Sequence, residues 1–312
     1  MSSAVGLTFG VLDAIKIDDA KVVSVTDKNG ALPEDNAPAW NAATPYAVNA
    51  EVHRPNTHRV YVRMVAGTTP TAPELDPVNW FDYRPTNKWA AFDIYGTTKV
   101  MGADTLTLTL RPGPFVTAVW LGALVCSTVA LVVTDGPGGP EVYRNDGEFL
   151  ASIGREDWQS FFLAPDIIKS SVYFGGIPVC ADPVITITAI RHGSWAQVGI
   201  VQVGRFLELG RTEYGTDFGR VRYSSVEFAA DGTVKLTPRP SGGEARVRIE
   251  VAPIKIDLID YVLGYYDARP ALWVGHTDQR WAVLNKFGLM EARVSLDNPV
   301  LYSFSGTVTG LI

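Results

Sequence analysis

The sequence predicts a mainly β protein, on three observations. Short segments rich in Val, Ile, Thr and aromatic residues recur along the chain, separated by clusters of Gly, Pro, Asn and Asp. Within them apolar and polar residues alternate: in Thr105-Leu-Thr-Leu-Thr-Leu110 the leucines fall on one face and the threonines on the other. One later stretch, Lys255 to about Tyr266, carries the three- and four-residue apolar spacing of a helix instead. With 312 residues, 46% of them hydrophobic, the chain is long enough for two or three packed domains.

The chain divides into four expected units. Residues 1–36 hold short strand-like pieces such as Ala20-Lys-Val-Val-Ser-Val-Thr26, closed by the turn Asp27-Lys-Asn-Gly30, and lead into a polar connector with proline. They read as an N-terminal docking segment. Residues 37–84 read as a small β-module: Trp40, a strand from Tyr46 to Val52, a polar turn, a strand from Arg59 to Val65, and a closing Asn79-Trp80. Its aromatics admit two readings. Trp40, Tyr61 and Trp80 offer flat rings on which the apolar face of a sugar can stack. A module of this size also needs such rings for its own core.

Between this module and the next unit lies Asn79 to Asp93, with five aromatics in fifteen residues and Pro85 and Asn87 interrupting any single helix or strand. It reads as a packed joint in which Trp89 and Phe92 meet the following domain.

Residues 85–210 predict an antiparallel β-sandwich. Beyond Thr105–Leu110, the strand-like segments are 116–121, 128–133, 158–163, 171–174, 184–190 and 197–204. Their number and loop rhythm fit a jelly roll of the galactose-binding-like kind. The loop Asp135 to Asp146 holds Asp135, Glu141 and Asp146, oxygen donors of the type calcium takes, but at a spacing that matches no metal signature. A solvated loop is the expectation. Residues 211–312 predict an α+β domain. Arg220–Phe228 and Thr233–Thr237 flank the turn Ala230-Asp-Gly232; Ala245 to Val251 alternates as a sheet with one wet face; Leu258, Ile259, Val262, Leu263 and Tyr266 form the helix stripe between Pro253 and Pro270; and strand-like segments follow at 271–275, 281–284, 287–296 and 301–312.

Composition excludes several function classes. A net charge of −6 with 19% charged residues leaves no basic stripe for a phosphate backbone, so nucleic acid is not an expected partner. Cys126 and Cys180 sit in apolar contexts without metal-ligand spacing; two reduced thiols are the default, with one disulfide between them also possible. Met1-Ser-Ser-Ala-Val-Gly6 has neither the basic region nor the apolar run of a secretory signal, which predicts folding in a cytoplasm. No apolar run reaches the roughly 18 to 20 residues of a membrane-spanning helix.

Catalytic signatures are missing from the sequence too. His53, His58, His192 and His276 are scattered, and Glu156 and Asp157 are adjacent, so in a strand they would point to opposite faces rather than across a cleft. Neither Gly-x-Ser-x-Gly nor a phosphate-binding glycine loop occurs. The expectation is a protein that is not an enzyme and takes no cofactor or metal; hydrolysis of a surface polysaccharide by two carboxylates distant in sequence is the least favoured alternative.

Two resemblances add to this reading. The Trp, Tyr-strand, Tyr-strand, Trp order of residues 40–80 resembles the chitin-binding-like modules of carbohydrate-active enzymes and phage tail proteins, with Asn49-Ala50 standing where those modules carry Gly-Asp. Asn79-Trp80, Pro85-Thr-Asn-Lys-Trp-Ala-Ala-Phe-Asp93, Val203-Gly-Arg-Phe-Leu-Glu-Leu-Gly210, Arg269-Pro-Ala-Leu-Trp-Val-Gly275 and Gly306-Thr-Val-Thr-Gly-Leu-Ile312 together look like tail-tip and baseplate proteins of tailed bacteriophages and prophages. This likeness runs from about residue 40 to the end. It implies a structural component of the virion, made in the bacterial host's cytoplasm, with a C-terminal domain like those of tail-tube and distal-tail proteins. The implied partners are other baseplate proteins, the tail tube and further copies in a three-fold or six-fold ring, with a host-surface glycan as the alternative.

Overall fold

The structure, a computed structural model of the chain, describes residues 8–149, 157–163, 169–228, 232–239, 241–295 and 302–311. The molecule is mainly β. Its strands are, in order, β1 (Thr8–Ala14), β2 (Val22–Asp27), β3 (Gly30–Ala31), β4 (Glu51–Arg54), β5 (Arg59–Arg63), β6 (Trp80–Pro85), β7 (Val100–Leu110), β8 (Ala118–Gly122), β9 (Thr128–Asp135) and β10 (Glu141–Phe149). After helix α1 (Trp158–Leu163) come β11 (Val172–Gly175), β12 (Pro183–Val198), β13 (Ile200–Thr212), β14 (Asp217–Val221), β15 (Ser225–Phe228), β16 (Val234–Thr237) and β17 (Gly242–Val251). Helix α2 (Ile256–Tyr265) precedes β18 (Ala271–Val274), β19 (Lys286–Ser295) and β20 (Tyr302–Gly310).

A six-stranded antiparallel sheet, in the order β10-β9-β12-β7-β2-β3, faces one end of a nine-stranded sheet, β11-β8-β13-β1-β18-β19-β20-β17-β14. The two share one core. Leu106, Leu108 and Leu110 of β7, Leu131 and Val133 of β9 and Ile185 and Ile187 of β12 pack with Val119 and Leu121 of β8, Phe174 of β11 and Val203 of β13. The alternation visible in the sequence is thus the inner face of a sandwich, and each fully buried leucine stabilises it by about 2 kcal/mol.

The nine-stranded sheet curls on itself. Arg211 and Thr212 at the end of β13 pair with Glu250 and Ile249 of β17, closing β13-β1-β18-β19-β20-β17 into a six-stranded barrel. Phe9, Val11, Leu209, Val247, Ile249, Val251, Trp273, Phe304 and Val308 fill it, and Ile259 and Val262 of α2, with Tyr266 just after its end, belong to the same cluster. The Tyr266 hydroxyl donates to Asp13 Oδ1 at 2.9 Å, tying the helix end to β1. Burial, reinforced by that carboxylate, pushes the phenol well above its usual range. Outward positions of β17 alternate as expected, with Arg246 and Arg248 exposed. Leu258, expected on the buried stripe, instead lies on the solvent side of α2.

Sandwich and barrel are joined through β13. Ile200 to Gly204 pairs with β8 in the sandwich, and Gly204 to Arg211 pairs with β1 in the barrel. The expected boundary at 210/211 therefore falls inside one continuous strand. Residues 8–36 are also distributed differently from a separate docking segment: β1 lies between β13 and β18 in the barrel, and β2 pairs with β7 at the other sheet. Both strands satisfy their backbone groups in sheets closed by residues far away in sequence, which local pattern does not encode.

Two further segments depart from expectation. Trp158–Leu163 forms a short helix, not a strand, with Trp158, Phe162 and Leu163 exposed and Trp158 edge-on to Phe162. Trp281–Leu284 lies in a tight 3-10 segment, Gln279–Leu284, because the chain turns there between β18 and β19. Residues 1–7, 156, 230, 231, 296, 301 and 312 of the segments quoted above lie outside the described residues. Among the described residues no helix is long and apolar enough to cross a membrane.

Candidate functional site

The small module is the three-stranded sheet β4-β5-β6; Trp40, Tyr46, Tyr61 and Trp80 turn inward, while Phe81 and Tyr83 of β6 are exposed. Val52, Tyr61 and Trp80 form its core, with Trp40 and Tyr46 packed against them. Trp80 is 2% exposed and Tyr61 5%. Tyr46 meets Trp80 edge-on at 5.3 Å, and the buried Arg63 guanidinium lies 4.8 Å from the Trp80 ring centroid while donating to Thr69 Oγ1. Half-buried Trp40 is covered by the Arg54 guanidinium at 4.9 Å, itself fixed by two hydrogen bonds to Glu74. The rings named for sugar stacking are therefore engaged in internal packing. Asn49, at the position where the resembled modules carry glycine, has φ 66°, a left-handed conformation that Asn tolerates better than most residues and that preserves the turn.

The joint is a buried aromatic and polar cluster. Trp89 is 8% exposed, stacks on His58 at 4.0 Å and meets Phe92 edge-on at 5.5 Å; Phe92 in turn packs on the sandwich core. His58 bridges outward, with Nδ1 3.0 Å from Glu34 and Nε2 3.1 Å from Asp19. Asp35 accepts two hydrogen bonds from Arg84 and one each from the backbone N–H groups of Ala37 and Asn87. Burial works to raise its pKa, but these donors outweigh burial and hold the carboxyl below its usual range. Asn87 exchanges two hydrogen bonds with the Met101 backbone on β7. The module is thus tied to residues 19–37 on one side and to the six-stranded sheet on the other.

The remaining candidates are dispersed. Glu141 and Asp146 lie on β10, a strand paired with β9 and not a solvated loop, and both bond Arg144; Asp135 accepts from the Asp182 backbone. His53 contacts the Ala37 carbonyl and His192 contacts Asp104. Cys126 is buried and Cys180 half-buried, both free; burial pushes the Cys126 thiol up to about 12. Among the described residues no three His, Cys, Asp or Glu side chains cluster as metal ligands.

Unspent apolar surface lies elsewhere. Beyond the β14–β17 pair the chain continues as a second hairpin, β15–β16, whose two strands pair with no other strand among the described residues. Val226 pairs with Leu236 and Phe228 with Val234, so these four share one face. Glu227 and Lys235 form a cross-strand pair on the other, 4.0 Å apart. The apolar face is open, with Phe228 77% and Leu236 61% exposed. Helix α2 and its lead-in carry a second open stripe: Ile254, Leu258, Tyr261 and Tyr265 follow at four-, three- and four-residue spacing opposite the buried side. The period-two pattern of the arm was visible in the sequence, but nothing local distinguishes a strand face that packs inward from one that stays open.

No protein-family model matches the chain, and no curated protein is similar to it at a significant level.

Proposed function

We propose that the chain is a structural subunit of a bacteriophage tail tip or baseplate, acting through protein–protein interfaces in a ring around the tail axis. The observation that carries the assembly reading is the β15–β16 arm. A two-stranded hairpin with one wholly apolar open face is marginal by itself and gains stability when that face is covered. The same chain also offers an open apolar stripe on α2. Contact between unlike patches on successive copies is heterologous, and such contacts close into rings when the rotation permits.

In this reading the sandwich is a jelly roll of the galactose-binding-like kind and the barrel with α2 is a tail-tube-like or distal-tail-like domain. The ring has three-fold or six-fold symmetry, its neighbours are the tail tube and hub, and the protein works in the virion without catalysis. The segments from Asn79 to Ile312 that resemble tail proteins support the particle assignment; the arm supports the mode of action.

Sedimentation velocity of the purified chain, together with mass spectrometry of tails from a phage encoding it, tests both halves. The expected result is concentration-dependent rings and the chain in the tail. Complete, infectious tails in a deletion mutant would refute the assignment, and a monomer at all concentrations would refute self-assembly.

A further inference from the structure

A groove of about 600 Å³ opens beside the barrel seam, far in sequence from the aromatic module. Its floor is nearly closed to solvent: His276 and Leu284 are each 7% exposed. The backbone around it is braced, because the Thr212 hydroxyl donates to the Gly275 carbonyl at 2.7 Å, the Asp278 N–H donates to His276 Nδ1 at 2.9 Å, and the His276 N–H donates to Asn285 Oδ1 at 3.2 Å. Two aromatic side chains line it while remaining open. Tyr214, in the turn between β13 and β14, is fully exposed, and Trp281 is 52% exposed with its ring 6.2 Å from that of His276.

Among the described residues, three charged side chains of the lining, Arg211, Glu213 and Glu250, are uncommitted. Arg211 and Glu250 face one another in the register that closes the barrel, yet neither they nor Glu213 form an ion pair among the described residues. This contrasts with the module, where Arg54 and Arg63 cover the rings of Trp40 and Trp80. Open flat rings, a braced floor and free bidentate donors and acceptors match the two-sided chemistry of a pyranose, whose C–H face stacks on an aromatic ring and whose vicinal hydroxyls bond carboxylates and guanidinium groups.

We propose that this groove is a saccharide-binding site, with Trp281 as the stacking platform, Tyr214 as the second ring, and Arg211, Glu213 and Glu250 as hydroxyl-bonding groups. The site stands independently of ring assembly, since the arm and the α2 stripe contribute nothing to its lining.

The test titrates the full chain with glucose, galactose, N-acetylglucosamine and their linear trisaccharides, read by saturation-transfer NMR and tryptophan fluorescence. Trp281→Ala, Tyr214→Ala and Glu250→Gln are compared, with sedimentation run in parallel and circular dichroism checking the fold. At least one trisaccharide binds the wild type; Trp281→Ala weakens it about tenfold or more, and the other two about three- to tenfold, corresponding to loss of one stacking or hydrogen-bonding contact each. Absence of binding by every saccharide in the panel overturns the proposal. So does binding that survives Trp281→Ala undiminished. A Trp281→Ala variant that alters only the sedimentation profile assigns these rings to a protein interface instead.

Discussion

The small module and the β15–β16 arm use the same strand grammar to opposite ends. In the module, Tyr61 and Trp80 are 5% and 2% exposed, and arginines cover Trp40 and Trp80. In the arm, Val226, Phe228, Val234 and Leu236 share one face and are all open. The module's three strands and connecting loops give its rings something to fold around, whereas two strands have no second layer. Tyr61 and Trp80 in the module therefore report on stability, and the apolar residues of the arm on the proposed assembly.

The largest expected effect tests the module side. Trp80→Ala removes the centre of its core and should destabilise it by about 3–5 kcal/mol, seen as a separate early unfolding step in urea while the barrel persists. An unchanged unfolding profile would break the contrast at its root. Trp89→Ala should cost about 3 kcal/mol and loosen the module against the sandwich, because both the stack on His58 and the contact with Phe92 are lost. Small-angle scattering reads this as a broader distance distribution, and an identical distribution in the variant sinks the idea that this joint sets the module's angle.

Asp35→Asn comes next, at about 2–3 kcal/mol, since Arg84 and two backbone donors lose their charged acceptor. The sign of its pH dependence follows from the lowered carboxyl. Its stabilisation is present above the unfolded-state carboxylate range and is lost as pH falls through the lower folded-state value. Wild type should therefore lose more stability than Asp35→Asn between about pH 5 and pH 2, and parallel curves would show that the carboxylate is not a stabilising charge.

The smallest stability effect sharpens the arm side. Phe228→Ser should change protomer stability by less than about 0.5 kcal/mol, since the ring is open, while weakening self-association about tenfold or more. Denaturation and sedimentation on the same variant separate the two. If Phe228→Ser instead unfolds the protomer, the arm is part of the core and the comparison fails.

Much of the fold was legible because strands declare their faces by alternation. Leu106, Leu108 and Leu110, the helix within Lys255–Tyr266 and the turn at Asp27–Gly30 follow from period and turn chemistry alone. Glu141–Phe149 was masked by its carboxylates, which a strand tolerates once Arg144 partners Glu141 and Asp146. Trp158–Leu163 and Trp281–Leu284 failed because short apolar runs carry too few residues to fix a period.

The candidate sites were less legible than the fold. Trp40, Tyr61 and Trp80 announced an aromatic cluster, but whether a ring faces in or out depended on neighbours that other strands and loops supply, such as Arg54 over Trp40 and Arg63 over Trp80. Tyr214 and Trp281 lie 67 positions apart and gave no joint signal. By itself the sequence determined the β character, the position of the helix and the aromatic concentration around residues 79–93, all of which rest on local spacing. Only the tertiary structure decided that β1 sits inside the barrel, that β13 serves two cores and that the arm's apolar face is left open. Each of these depends on which distant strand supplies the partner, and a hydrogen-bonding edge is the same for every partner until the chain has folded.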